Sequence, residues 1–212
     1  MAGPVLHATR REGTLLLADI SGYTAFLQGV ADAHRDLIIE ADEPPPAYAV
    51  LSHLLDTMVG AIAPTFRLAK FEGDAIFAVT VDPPVDGREV LDTLHRCYAA
   101  FRGALTSAGS QWTCTCTACA RVGDLDLKFV VHHGSYVAQP IAGREEFLGS
   151  DVNVAHRLLK NHARELVGAV PYALVTNSAV EALGIPIERM VQGEETYDDT
   201  PPVPIHVLAL AG

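Results

Sequence analysis

The stretch Thr14–Thr24, TLLLADISGYT, constrains this chain more than any other. Its apolar run Leu15-Leu16-Leu17-Ala18 is too short to span a membrane and too continuous for a half-exposed strand, so it predicts a central β-strand covered on both faces. Asp19 then stands where that strand leaves the core. A carboxylate is costly to desolvate unless a cation or several donors meet it, so a partner for Asp19 is expected. Ser21 and Gly22 let the backbone turn tightly, and the first amides of a helix starting at Tyr23 and Thr24 point at whatever fills the turn. That arrangement makes a phosphate cradle. The same residues also fit a plain strand with Asp19 as a helix cap.

A chain of 212 residues with 49% apolar content is enough for one domain over residues 1–212 with a sizeable core. Fifteen basic residues against 26 acidic ones give a formal charge of -11, which repels nucleic acid and anionic membranes. Small molecules or proteins are the expected partners. No apolar run approaches the roughly 20 residues of a membrane helix, and no secretory leader is evident at the start, so a soluble cytoplasmic protein is expected.

Periodicity sets the remaining elements. Residues 1–12 read as a polar, flexible lead-in, and Tyr23 to about Ala33 as a short helix. After the interruption at Glu43-Pro-Pro-Pro46, Leu51, Leu54, Leu55, Met58, Val59 and Ile62 follow i, i+3, i+4, i+7 spacing and predict a helix that Pro64 ends. Phe66–Phe71 and Ala75–Val79 read as a hairpin turning through Glu72-Gly73-Asp74, and Arg88–Thr106 as a third helix. Leu125–Ala138 reads as paired strands around Gly134. Ser150 or Asp151 should cap a fourth helix running to about Ala163, with Asn153 and Arg157 on one face. Ala173–Thr176 is a short strand, Asn177 caps a helix to Leu183, and Met190–Tyr197 with Val203–Leu210 close the sheet. The sum is an α/β sandwich with a mostly antiparallel sheet and helices on one face.

Three ordered segments, Leu17-Ala-Asp19-Ile-Ser-Gly22-Tyr-Thr24, Lys70-Phe-Glu-Gly73-Asp74 and Leu148-Gly149-Ser-Asp-Val152-Asn153-Val-Ala155-His-Arg157, resemble the signature segments of class III adenylyl and guanylyl cyclase catalytic domains. The resemblance runs from Gly13 to Leu210. It implies an α+β, ferredoxin-like α/β sandwich of the class III nucleotidyl cyclase type, with metal ions at Asp19, Ile20 and Asp74. By the same similarity Lys70 and Glu146 read the base, Asn153 orients the ribose and Arg157 stabilises the transition state. In that family the metal aspartates and the other residues come from different subunits, so the resemblance implies a homodimer with two composite sites.

Residue chemistry agrees with that assignment. Two carboxylates at neighbouring strand ends repel each other unless a dication lies between them, and hard oxygen ligands select Mg or Mn. Two ions about 3.5 to 4 Å apart suit attack of a 3'-hydroxyl on the α-phosphorus of a nucleoside triphosphate with pyrophosphate leaving. Lys70 only donates and ionised Glu146 only accepts, which suits the ring nitrogen and amino group of adenine. ATP and cyclic AMP are therefore the expected substrate and product.

Two features depart from the family pattern. After Arg189 the chain has no lysine or arginine to hold the terminal phosphates, although Arg67, Lys128, Arg144 or Lys160 could substitute. Residues 110–122 form an added cysteine-rich insertion in which Cys114, Cys116 and Cys119 are candidate zinc ligands, with Cys97, His132, His133 or solvent as a fourth. The alternative for the segment is a reduced loop. The alternatives for the whole chain are a cyclase-like module without activity that binds a nucleotide or a protein, and a zinc-stapled interaction domain.

Overall fold

The computed structural model describes residues 8–36, 46–80, 85–111, 114–168, 171–198 and 200–210. The apolar run lies in β1 (Thr9–Ser21), and its Leu15, Leu16 and Leu17 are 0% exposed. β1 pairs antiparallel with β3 (Ala75–Thr80) on one side and β4 (Asp126–Ile141) on the other. Successive side chains of a strand point to opposite faces. Leu16, Ala18 and Ile20 accordingly enter one apolar cluster, and Leu15 and Leu17 the other. Asp19 shares the face of Leu15 and Leu17.

With β2 (Phe66–Glu72), β5 (Arg144–Leu148), β6 (Tyr172–Thr176), β7 (Val191–Glu195) and β8 (Val203–Ala209), these strands form an eight-stranded sheet ordered β2-β3-β1-β4-β6-β8-β7, and β5 pairs with β4. Every pairing is antiparallel except β4 with β6, as the sequence predicts.

On the Leu16 face lie α1 (Tyr23–Ala33), α2 (Pro46–Ile62) and α3 (Gly87–Gln111). Leu51, Leu54, Met58 and Ile62 of α2 are buried there, the stripe that the spacing predicts. Truncating Leu54 or Met58 to alanine should cost about 2–5 kcal/mol. α4 (Thr117–Ala120), a 3-10 turn (Arg121–Asp124) and α7 (Asn177–Leu183) complete that side. The opposite face is covered too, by α5 (Ser150–Arg157) and α6 (Ala163–Val167), which bury Val152, Ala155 and Ala163 against Leu15, Leu17 and Phe77. Helices on one face is therefore corrected to helices on both: a helix's apolar stripe shows that it packs on the sheet but not on which face. Among the described residues no helix is long and apolar enough to cross a membrane.

Five local expectations also change. Residues 9–12 are not a lead-in, since Thr9–Glu12 pair with Ser135–Ala138; they read as polar because this part of the strand is exposed. Residues 1–7 and 43–45 lie outside the described residues. Gly134 makes no turn but sits within β4, where a Cβ would lie 2.4 Å from the Asp151 carboxylate. Here the glycine marks a close approach. Asp151 is thereby drawn away from capping: its Oδ2 accepts from the Ser135 N–H at 2.7 Å, and α5 ends at Arg157 instead of Ala163. Thr176, not Asn177, caps α7, its hydroxyl accepting from the Ala179 N–H.

Candidate functional site

Cross-strand register lines up the first part of the site. Glu72 pairs with Ala75, Ala75 with Asp19, and Asp19 with Lys128, so one row across β2, β3, β1 and β4 carries Glu72, Asp19 and Lys128 on one face. Lys128 Nζ stands 2.9 Å from Asp19 Oδ2, and the two side chains are 22% and 15% exposed. It also donates to the Leu159 carbonyl at 3.1 Å. This is the partner that the position of Asp19 demands, and the sequence does not reveal it without the register.

Asp74 reaches the same strand end from the β2–β3 turn. Gly73 adopts φ 65 there, and the Ile20 N–H donates to the Asp74 carbonyl at 3.3 Å, which holds the turn against β1. Burial, then the charge of Asp19, pushes the Asp74 carboxyl above its usual range, while Lys128 pulls it back. The predicted acidic pair is thus brought together. The Ile20 side chain is 1% exposed in the apolar cluster, and the only oxygen this residue could offer an ion is its backbone carbonyl. Past Ser21, Gly22 takes φ 88 and α1 starts without a side-chain cap. Tyr23, Thr24, Tyr48, Gly73 and Asp74 line a cleft of about 290 Å³ beside that helix start.

The second part of the site depends on an irregularity. The β2–β3 register shifts between Leu68 and Lys70, which pairs Lys70 with Phe77 and turns it to the Asp19 face. Lys70 Nζ lies 3.0 Å from Glu72 and 3.7 Å from Glu146, so the two residues expected to read a base are neighbours. Burial works against the Lys70 charge, but Glu72 and Glu146 outweigh it and raise the pKa. Glu72 in turn has His156 Nε2 2.8 Å away, and the His156 ring packs edge-on against Phe77. Burial favours its neutral form, yet Lys70 and His156 together lower its pKa. Sequence reasoning missed Glu72 and His156, although the i, i+2 spacing of Lys70 and Glu72 on a strand was a usable signal.

Asn153 and Arg157 are exposed on α5 and line another cleft, of about 500 Å³, with Asp151, Thr176, Asn177 and Thr200. Arg157 donates to the Asp198 carbonyl at 2.8 Å and to the Thr200 hydroxyl, which ties it to the loop between β7 and β8. No described residue lines both this cleft and that of Asp74. Of the substitute cations, Arg67 is paired with Glu145 at 2.8 Å and Lys128 with Asp19, while Lys160 lines a groove with Arg157, Tyr197 and Asp198.

The cysteine segment gathers elsewhere, on the other side of the sheet. Cys114, Cys116 and Cys119 meet His34, just beyond α1, with their ligand atoms within 4.8 Å of one another. None of the protein side chains expected as a fourth ligand is there. Cys97 lies in the apolar cluster with its thiol pushed up to about 12 by burial. His132 bonds the Thr176 hydroxyl, and His133 bonds Thr14.

Comparison with known proteins agrees with this architecture. The adenylyl cyclase CyaB from P. aeruginosa superposes with a TM-score of 0.65 at 16% identity, covering 96% of each chain. The guanylyl cyclase Cya2 gives a TM-score of 0.60 at 18% identity, over 95% of this chain and 93% of that one. At such identities the likeness is one of fold, that of class III cyclase catalytic domains. An uncharacterized protein of Mycobacterium tuberculosis, Rv2561/Rv2562, is 29% identical over 142 residues, which are 66% of this chain and 63% of the relative. The match thus spans less than two thirds of that relative's length. Residues 51–165, more than half of the chain, match the family described as "Protein of unknown function (DUF2652)", and the chain belongs to that family.

Proposed function

We propose that the protein is a nucleotidyl cyclase that forms cyclic AMP and pyrophosphate from ATP. The observation that carries this reading is the convergence of Asp19 and Asp74 at one strand end, where the Ile20 N–H holds the Asp74 carbonyl and where burial, then the charge of Asp19, raises the Asp74 pKa. A pair that disfavours its own double ionisation fits a dication, and Mg or Mn, two ions per site, would be held by Asp19, Asp74 and the Ile20 carbonyl. Such ions supply charge neutralisation to the triphosphate and acidify the 3'-hydroxyl.

The chain's own groups divide the rest of the work. Amides at the start of α1, from Tyr23 and Thr24, face a phosphate in the turn formed by Ser21 and Gly22. Lys70, kept charged by Glu72 and Glu146, donates to the adenine ring nitrogen, while Glu146 accepts from the amino group. Asn153 orients the ribose. Arg157 meets charge that grows only as the bond from the α-phosphorus to the pyrophosphate oxygen breaks, which accelerates chemistry more than binding. Asp74 and Arg157 line separate clefts of one chain, which fits the homodimer with composite sites that the cyclase resemblance implies, a second copy supplying the second half of each site.

Two observations favour a second reading. Lys128 already neutralises Asp19, and the chain has no lysine or arginine after Arg189, as befits a cyclase-like module without activity that binds a nucleotide or a protein. Incubating the purified protein with ATP or GTP and Mn, beside an Asp19→Ala control, separates the two. Cyclic AMP from the wild type alone supports the enzyme; none from either protein removes it.

A further inference from the structure

We infer that His34, Cys114, Cys116 and Cys119 form a closed structural zinc site that fastens the end of α1 to the cysteine segment. His34 Nε2 lies 3.3 Å from Cys114 Sγ, 3.8 Å from Cys116 Sγ and 3.9 Å from Cys119 Sγ. A tetrahedral zinc with bonds of about 2.3 Å to sulfur and 2.0–2.1 Å to nitrogen separates the two ligand types by about 3.5 Å. The observed spread brackets that figure.

The tautomer of His34 is fixed by a neighbour. Its Nδ1 lies 2.9 Å from the Val30 carbonyl, which only accepts, so the ring proton sits on Nδ1 and Nε2 turns its lone pair to the three sulfurs. A ligating histidine commonly anchors its other nitrogen on a carbonyl in this way. On the sulfur side, the Cys119 N–H donates to Cys116 Sγ at 3.3 Å, a bond that suits a thiolate. Plain packing explains the burial of Cys119, but not the aim of an imidazole lone pair at three sulfurs.

Ligand chemistry names the ion. Three thiolates and an imidazole favour zinc, whereas the carboxylates at Asp19 and Asp74 favour Mg or Mn. Four protein ligands leave no open position, so the site holds structure and binds no substrate. On metal binding the three thiols give up their protons to solvent.

The position explains the use of such a staple. α1 has 11 residues, of which Phe26 and Val30 are the buried ones. That is a thin apolar anchor for a helix whose first turn lines the Asp74 cleft. His34 follows its last turn, and Gly29 one turn earlier faces Ala118, whose Cβ a glycine Cβ would meet at 3.7 Å. Zinc adds a second anchor at the far end of this helix and sets the direction of its start.

Metal analysis of the full chain, purified without added metal and dialysed against a chelator, tests this. About one zinc per chain is expected in the wild type and in Asp74→Asn, with most of it lost from His34→Ala and Cys116→Ser. Cobalt exchanged into the wild type should give the thiolate charge-transfer and tetrahedral bands of a three-sulfur, one-nitrogen site. His34→Cys should keep the metal and move those bands toward a four-sulfur pattern, which guards against mere misfolding of the alanine variant. A wild type without zinc and without a cobalt-thiolate band, or a His34→Ala variant that keeps a full zinc, overturns the proposal. Since no nucleotide enters these measurements, a zinc-loaded protein without cyclase activity would leave this site standing.

Discussion

Lys128 Nζ lies 2.9 Å from Asp19 Oδ2, so the carboxylate at the end of the central strand carries an internal counter-ion. A dication at Asp19 would compete with that ammonium group for the carboxylate. Lys128→Met should therefore lower the stability of the metal-free chain by about 1–3 kcal/mol, since it leaves a largely buried carboxylate unpaired. The same change should strengthen Mn binding roughly tenfold, read by titration calorimetry. Unchanged Mn affinity would show that lysine and metal do not compete.

Asp74 makes the opposite prediction for stability. Burial and the charge of Asp19 raise its folded pKa, so the folded chain holds that proton more tightly than the unfolded chain does. Its ionisation thus costs stability as the pH rises through the carboxylate range. Asp74→Asn should stabilise the metal-free chain at neutral pH by up to about 1 kcal/mol, a gain kept small because water screens this partly exposed group, and so raise its melting temperature. It should also abolish the stabilisation that Mn gives. In the wild type that stabilisation should fade as the pH drops into the carboxylate range, where protons occupy Asp74. Thermal melts with and without Mn at several pH values read all three.

Lys70 sits between two carboxylates, at 3.0 Å from Glu72 and 3.7 Å from Glu146. Glutamine there would both donate and accept, so Lys70→Gln should cut kcat/KM for ATP about 10- to 100-fold and narrow the preference over GTP. The two nucleotides assayed side by side give the ratio. An unaltered ratio would take Lys70 out of base reading.

Arg157 is held by the Asp198 carbonyl and the Thr200 hydroxyl. If it meets only transition-state charge, Arg157→Ala should lower kcat by about 10²–10³ with KM changed little. A rise in KM at constant kcat would assign it to ground-state binding instead.

How far the sequence carried these conclusions follows from what each signal needs. The continuous run Leu15–Ala18 and the stripe from Leu51 to Ile62 show burial directly, and α1 runs from Tyr23 to Ala33 as read. Gly134 misled because a glycine within apolar sequence looks like a turn, while its actual cause, the Asp151 carboxylate beneath it, comes from a segment 17 residues later. Lys128 enters the site through strand register and His156 through the packing of α5 on the sheet, which no local pattern encodes, whereas the i, i+2 spacing of Glu72 from Lys70 was a signal left unused. His34 was missed as the fourth member of the cysteine cluster for the same reason: it lies 80 residues before Cys114.

Mixing two variants tests the central claim most directly. Asp74→Asn and Arg157→Ala should each be nearly inactive alone, one lacking the acidic half of the site and the other the basic half. If neighbouring copies supply those halves, a mixed dimer regains one intact site, and an equimolar mixture that exchanges subunits should recover about a quarter of the wild-type cyclic AMP production. A mixture that forms mixed dimers yet makes no more product than either variant alone would contradict the account.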